Sequence, residues 1–164
     1  MAGYEARRII ERMGQFVASY PHYEEFGIVG PKGLVPDINI ADFESGIKTA
    51  QLVIDYSGST RISKTQDVLG YRGEVRQANF TMLLLRDAGD KELRIDTTDF
   101  LHDFEHWISY KNSRRDTPPI GDDPYSEDMW ADNGNFYSRW DNRKASVYSI
   151  LLHKTYQLVY REAQ

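Results

Sequence analysis

The stretch that most restricts how this chain can fold runs from Asp96 to Arg115. Its apolar residues Phe100, Leu101, Phe104, Trp107 and Ile108 recur at helical spacing, so at about 100° per residue they share one narrow arc. Asp96 or Thr97 is placed to cap the first turn, with Asp99 near the positive end of the dipole. Lys111, Arg114 and Arg115 stand at or just beyond the negative end. The pattern predicts an amphipathic helix of about four turns. Its apolar arc is rich in rings, and rings need a broad, flat surface to pack on, which a sheet supplies. Phe100, Phe104 and Trp107 are therefore expected to press on the strand that carries Phe80 and Met82.

A second helix is expected near the start. Ile9, Ile10, Met13, Phe16, Val17 and Tyr20 lie on one side of it, Arg7, Arg8, Glu11, Arg12 and Gln15 on the other, and Pro21 ends it. Residues 21–46 read as an irregular insertion, because Gly27, Gly30, Pro31, Gly33, Pro36 and Gly46 punctuate short apolar pieces. Ala50, Leu52, Ile54 and Tyr56 then alternate as one face of a strand, Ser57-Gly58-Ser59 reads as a turn, and 60–68 as a weaker strand or long loop.

Residues 75–86 form a firmer strand, with Ala78, Phe80, Met82 and Leu84 pointing one way. Leu83 and Leu85 interrupt its polar side and predict partial cover on both faces. A short 93–95 segment leads into the central helix, and Pro118-Pro119-Ile120-Gly121 stops regular structure after it. Two hairpins are expected next. Asn133-Gly134 turns the first, setting Trp130 opposite Tyr137 and Ala131 opposite Phe136, and Asp141-Asn142-Arg143-Lys144 turns the second. A long last strand alternates from Tyr148 to Tyr160. The sum is a single α+β domain over residues 1–164, an antiparallel or mixed sheet of about five strands with two amphipathic helices packed on it.

A chain of 164 residues can bury roughly 70% of its unfolded surface in one core and needs no staple. It has no cysteine, which fits a reducing compartment. No apolar run reaches the ~18 residues of a membrane span, and the first residues lead into an amphipathic helix and not an apolar leader. A soluble protein that is not exported is the expectation. Twenty basic against twenty-five acidic residues give a net charge of −5, which argues against a protein whose main task is gripping phosphates.

Motifs for chemistry are sparse. His102 and His106 are spaced to share a metal on one helix, but the zinc-protease pattern needs glutamate directly after the first histidine, and here that residue is Asp103. Both histidines lie opposite the apolar arc. Gly30-Pro31-Lys32-Gly33 is too short to cradle a phosphate. The acidic run Asp122-Asp123-Pro124-Tyr125-Ser126-Glu127-Asp128 matches no cation-binding loop and reads as solvated. Trp130 and Trp140 have the chemistry to stack sugars or bases, though cross-strand pairing is the plainer account. No catalytic residue, cofactor or metal site is predicted.

One succession of residues resembles a known family. Arg76-Gln77-Ala78-Asn79-Phe80-Thr81 is followed by Phe100-Leu101-x-x-Phe104-x-x-Trp107-Ile108, then by Pro119-x-Gly121, Glu127, Ala131-x-Asn133-Gly134 and a last strand ending in Tyr160. This order is similar to the phage minor capsid or tail-completion proteins, which look related to the tail terminators of long-tailed bacteriophages. The resemblance covers the chain from about Ala50 onward and is firmest from Arg76 to Gly134.

The resemblance implies a sandwich-like subunit that forms a ring, a hexamer, capping the last layer of the tail tube and meeting the neck of the filled head. It implies a virion protein assembled in the bacterial host cytoplasm. Its partners would be its own copies, tail tube protein and a neck or head-completion protein, with DNA passing through the ring and no membrane or sequence-specific nucleic acid. Phe80, Phe100, Leu101, Phe104, Trp107 and Ile108 would then be scaffold, and Arg61, Lys64 and Arg72 would face an acidic partner. A head-completion or neck protein is the nearest alternative. A metal-dependent enzyme using His102 and His106, and a sugar or nucleic-acid module using Trp130 and Trp140, rank behind it.

Overall fold

The computed structural model describes residues 5–31, 50–87, 91–140 and 145–160. In chain order these form α1 (Glu5–Ala18), a 3-10 turn at Glu24–Phe26, β1 (Ile28–Val29), β2 (Ala50–Gln66), β3 (Arg72–Asp87), α2 (Lys91–Ser113), a second 3-10 turn at Pro124–Ser126, β4 (Asp128–Trp140) and β5 (Ala145–Tyr160). The sheet order is β1-β2-β3-β5-β4. Neighbours among the four long strands are antiparallel, and β1 joins β2 in parallel through two residue pairs.

Register aligns Ile54, Met82 and Ile150 across three strands, and beside them Tyr56, Phe80, Leu152 and Ala131 across four. Because strand side chains alternate, these rows fall on one face. Ile9, Met13 and Val17 of α1 and Phe100, Leu101, Phe104 and Ile108 of α2 bury themselves against that face in a single cluster. The result is the expected α+β fold, with both amphipathic helices on one side of a mostly antiparallel sheet.

Several local expectations are corrected. α2 begins at Lys91, so residues 93–95 are helical and Asp96 and Thr97 lie within the helix, with Thr97 fully buried. Lys91, Glu92, Leu93 and Arg94 are all good helix formers, and they extend the helix upstream of the aromatic stripe. Trp107 is half-buried at the rim of the core cluster. Its indole stacks on Phe16 of α1 with centroids 4.8 Å apart, and Tyr20 meets it edge-on at 5.3 Å. Part of the aromatic arc thus faces the neighbouring helix.

Ser57-Gly58-Ser59 is a bulge, not a turn. β2 runs through it with a register shift at Gly58, whose φ of +98° is open to glycine and strained for other residues. Asn133-Gly134 likewise sits inside β4, in the register shift between Asp132 and Asn135. Trp130 therefore pairs with His153 and Ala131 with Leu152, not with Tyr137 and Phe136. Pairing with β5 on both sides of the irregularity, from Asp128 to Asp132 and from Asn135 to Trp140, overrides the local turn preference. Asp141-Asn142-Arg143-Lys144 lies outside the described residues, although Trp140 and Ala145 on either side are in register.

Residues 21–31 are no separate insertion. Tyr23 and Ile28 are buried in the core, and the Tyr23 hydroxyl donates to Val17 O at 2.7 Å. Residues 32–46, the rest of that stretch, lie outside the described ones. The second face of the sheet carries Leu83, half-buried between Val53 and Ser149 on the flanking strands. No helix among the described residues covers that face, and the Leu85 side chain falls outside them.

Candidate functional site

Beyond Ser59 and Arg76, β2 and β3 run on as a hairpin, here called the arm, with β5 beside β3 as far as Arg72. Its tip is a tight turn organised by Asp67, whose Oδ1 accepts the backbone N–H groups of Leu69 and Tyr71, each at 2.9 Å. The Asp67 N–H donates to Tyr71 O and Gly70 N–H to Asp67 O, both at 3.0 Å, and Gly70 takes the positive φ the turn requires. This rigid turn holds two aliphatic residues in water: Val68 is fully exposed and Leu69 is 78% exposed. Arg61, Lys64 and Arg72 are exposed on the same arm, opposite Arg76, Glu74 and Gln66 in the ladder.

The arm is stiffened at its base. The Arg76 guanidinium donates from Nε to Ser59 Oγ (2.7 Å), from Nη2 to Ser59 O (2.9 Å) and from Nη1 to Glu74 Oε1 (2.7 Å). Tyr160 donates to the same Glu74 oxygen at 2.8 Å, while the Tyr156 hydroxyl lies 2.7 Å from Ser59 Oγ and donates to Glu5. The hydrogen bond from Arg76 holds the Glu74 carboxyl below the ordinary carboxylate range, with burial opposing it and Tyr160 assisting.

Glu74 therefore ionises more readily in the folded state than in the unfolded one. Its contribution is present above the ordinary value of 4.5 and fades as the pH falls through the lower folded value. The Glu74→Gln protein is expected to melt lower at neutral pH and to lose less on acidification below pH 4.5 than wild type, as read from thermal midpoints across that range.

Next to the arm, residues 117–122 form a strap along β5, held by a buried ion pair. The register of β5 puts Lys154 on the core face between Leu152 and Tyr156, where its side chain is 1% exposed. Its ammonium donates to Pro118 O at 2.7 Å, Thr117 Oγ1 at 2.8 Å and Glu127 Oε1 at 3.1 Å, so all three protons are placed. Glu127, 2% exposed at its side chain, also accepts from the Ile120 N–H at 3.1 Å and the Gly121 N–H at 2.8 Å. Burial pushes Lys154 below the ordinary lysine range and the Glu127 charge pulls it back.

Arg8 reaches from α1 to Ile120 O at 2.8 Å, and Arg12 to Pro119 O. At Gly121 the strap lies so close to β5 that an added Cβ would sit 2.5 Å from Gln157 O. The Asp122 N–H donates to Gln157 O, and its carboxylate accepts from the Val159 N–H, each at 2.8 Å; the strap thus closes the sheet edge that β4 leaves open.

The acidic run is therefore not a freely solvated loop. Asp123 accepts from the Tyr125 N–H at the head of the 3-10 turn, Asp128 accepts from Asn112, and Glu127 is interior. Between the strap and the end of α2 lies a cavity of about 260 Å³ with Pro119, Pro124, Tyr125 and Arg115 at its walls. α2 closes with paired bonds from the Arg115 N–H to Asn112 O (3.0 Å) and from the Asp116 N–H to Lys111 O (2.9 Å). Arg115 has φ +54° at a position that usually takes glycine, and its guanidinium lies 5.9 Å from the Tyr125 ring centre.

A third feature lies on the second sheet face. His153 sits with Nε2 2.7 Å from Asp132 Oδ2 and Nδ1 2.7 Å from Asn79 Oδ1, and the Trp130 ring tilts over it at 5.2 Å.

Of the residues singled out in the sequence, Phe80, Phe100, Leu101, Phe104 and Ile108 are core, and Trp107 bridges the helices. Arg61, Lys64 and Arg72 share the arm. His102 and His106 are exposed on α2, and among the described residues no group of three or more His, Asp or Glu side chains is placed to hold a metal ion. The Trp140 side chain lies outside the described residues.

Sequence reasoning missed the Lys154–Glu127 pair. The signal was there, a lysine at an inward position of the last strand. Among the described residues no helix is long and apolar enough to cross a membrane. A scan against protein-family models finds no match to this chain, and a search of curated proteins finds none.

Proposed function

We propose that this protein is a structural subunit of a bacteriophage particle that assembles into a ring, ends the tail tube and joins it to the neck of the head. The observation that carries this reading is the arm. A rigid hairpin that holds Val68 and Leu69 in water beside Arg61, Lys64 and Arg72 is built to meet another surface. The motif succession from Arg76 to Gly134 supplies the family likeness. Its work is mechanical, through shape and charge complementarity, and asks for no reacting group.

Electron microscopy of particles made without the protein tests this reading. Overlong tails, or tails without heads, are expected; tails of normal length joined to heads would sink it. In complemented particles, the Arg61→Glu/Lys64→Glu protein is expected to keep its melting temperature and lose tube capping. Cross-linking to tail tube protein supports the terminator role, and cross-linking to portal components instead would move the protein to the neck.

A further inference from the structure

We propose that His153 is a proton-driven latch on the second sheet face. With both ring nitrogens protonated it ties Asp132 of β4 to Asn79 of β3; on losing one proton it gives up Asn79 and accepts a hydrogen bond from Gln77 instead.

Register builds the site. Asn79, His153 and Trp130 face one another in a row across β3, β5 and β4. Gln77 and Asp132 stand two residues along their own strands from that row, on opposite sides of it. Side chains alternate along a strand, so all five project from the same face. The His153 side chain is 14% exposed, and the Trp130 ring lies over it with the two planes 32° apart.

The bonds count the protons. His153 Nε2 is 2.7 Å from Asp132 Oδ2, and Nδ1 is 2.7 Å from Asn79 Oδ1. A neutral imidazole has one N–H and can serve only one of these oxygens, whereas an imidazolium serves both. The Asn79 amide is held with its oxygen toward the ring, because Oδ1 also accepts from Gln77 Nε2 at 2.8 Å and Nδ2 donates to Gln77 O at 3.4 Å. The indole face above the ring is a further partner for positive charge.

The second position of the latch is already in place. The same Gln77 Nε2 stands 3.2 Å from His153 Nδ1. When Nδ1 gives its proton to solvent, its lone pair faces that donor and repels the Asn79 oxygen. Gln77 then turns its N–H from Asn79 to the ring, and Nε2–H stays on Asp132. The charged groups that share this face among the described residues are all acidic: Asp132 beside the ring, Asp128 further along β4 with its Oδ1 bonded to Asn112, and Asp55 across β3 on β2. The latch spans three strands, so pH changes the side-chain tie across them and leaves the ladder beneath intact.

Nitrogen-15 NMR of the histidine rings in the full chain tests the proposal, with the His153→Gln protein assigning the signal among the four histidines. Between about pH 5 and 8, where histidine changes charge, His153 is expected to pass from two protonated nitrogens to one, the survivor being Nε2. The Gln77 side-chain amide signals should shift at the same midpoint. In a Trp107→Phe/Trp140→Phe protein, Trp130 emission should rise at that midpoint too, because an imidazolium quenches indole and the neutral ring does not. The Asn79→Leu protein, checked for folding by its thermal melt, should titrate at lower pH, having lost an acceptor that only the doubly protonated ring can use together with Asp132. A ring that keeps its proton on Nδ1 at the alkaline end, Gln77 signals that ignore the titration, or a Trp130 step at a different midpoint would each overturn the proposal; the first two are read on the unaltered protein, so they decide it whatever the variants do.

Discussion

Replacing Lys154 with alanine is expected to destabilise the folded protein by about 3–5 kcal/mol, as read from the urea midpoint at unchanged slope. The size follows from what remains. Glu127 would stay 2% exposed with a full charge and only the Ile120 and Gly121 N–H groups as partners, and Thr117 Oγ1 and Pro118 O would lose their donor. An uncompensated buried charge is more costly than the pair is favourable. The double variant Lys154→Met/Glu127→Gln should therefore recover at least half of the loss, because a neutral amide still accepts from the strap and no lone charge is left inside. A Lys154→Ala midpoint close to wild type would mean that the strap is not held by this clamp.

The Phe104→Ala protein is expected to lose about 3–5 kcal/mol, and Trp107→Ala only about 1–2 kcal/mol. Phe104 is fully buried at the centre of the ring cluster, 5.2 Å from Tyr20 and 5.8 Å from both Phe100 and Trp107. Alanine there opens a cavity between α2, α1 and the sheet that no neighbour can fill. Trp107 stacks on Phe16 and has the Lys111 ammonium over its ring, so its removal strips a stack at the rim. Parallel denaturant melts of the two variants check the order. A larger loss at Trp107 than at Phe104 would place the sheet contact of α2 one turn further along than described.

Tyr20 ties these rings to the outer edge of the cluster. Its hydroxyl donates to Asp103, and burial followed by that carboxylate raises its pKa well above the ordinary phenol range. It therefore stays protonated, and it fixes α1 against α2 at the point where the aromatic arc turns from the sheet to the other helix.

Alternation and helical spacing were enough to read the layers from the residues alone. Leu52, Ile54, Ala78, Phe80, Met82, Leu84, Ile150 and Leu152 alternate because one face of the sheet takes the helices, and Phe100, Phe104 and Ile108 recur as they do because one side of α2 is buried. Those periodicities are properties of the local chain, so they survive without knowledge of what lies opposite. Pairing partners do not. Ser57-Gly58-Ser59 and Asn133-Gly134 have the composition of turns, and only the long ladders of β3 and β5 make them bulges.

Lys154 and Glu127 lie twenty-seven positions apart and look like a surface lysine and a loop acid until the strap folds over β5 and removes water from both. The arm shows the same division: Arg61, Lys64 and Arg72 were visible as a basic segment, but their meeting on one hairpin and the exposed tip between them come from strand register. Local sequence decided which side of each element is apolar, because burial selects side chains one element at a time. Tertiary structure decided which charges meet and which edges stay open, because those depend on long-range ladder bonds and on where water is excluded.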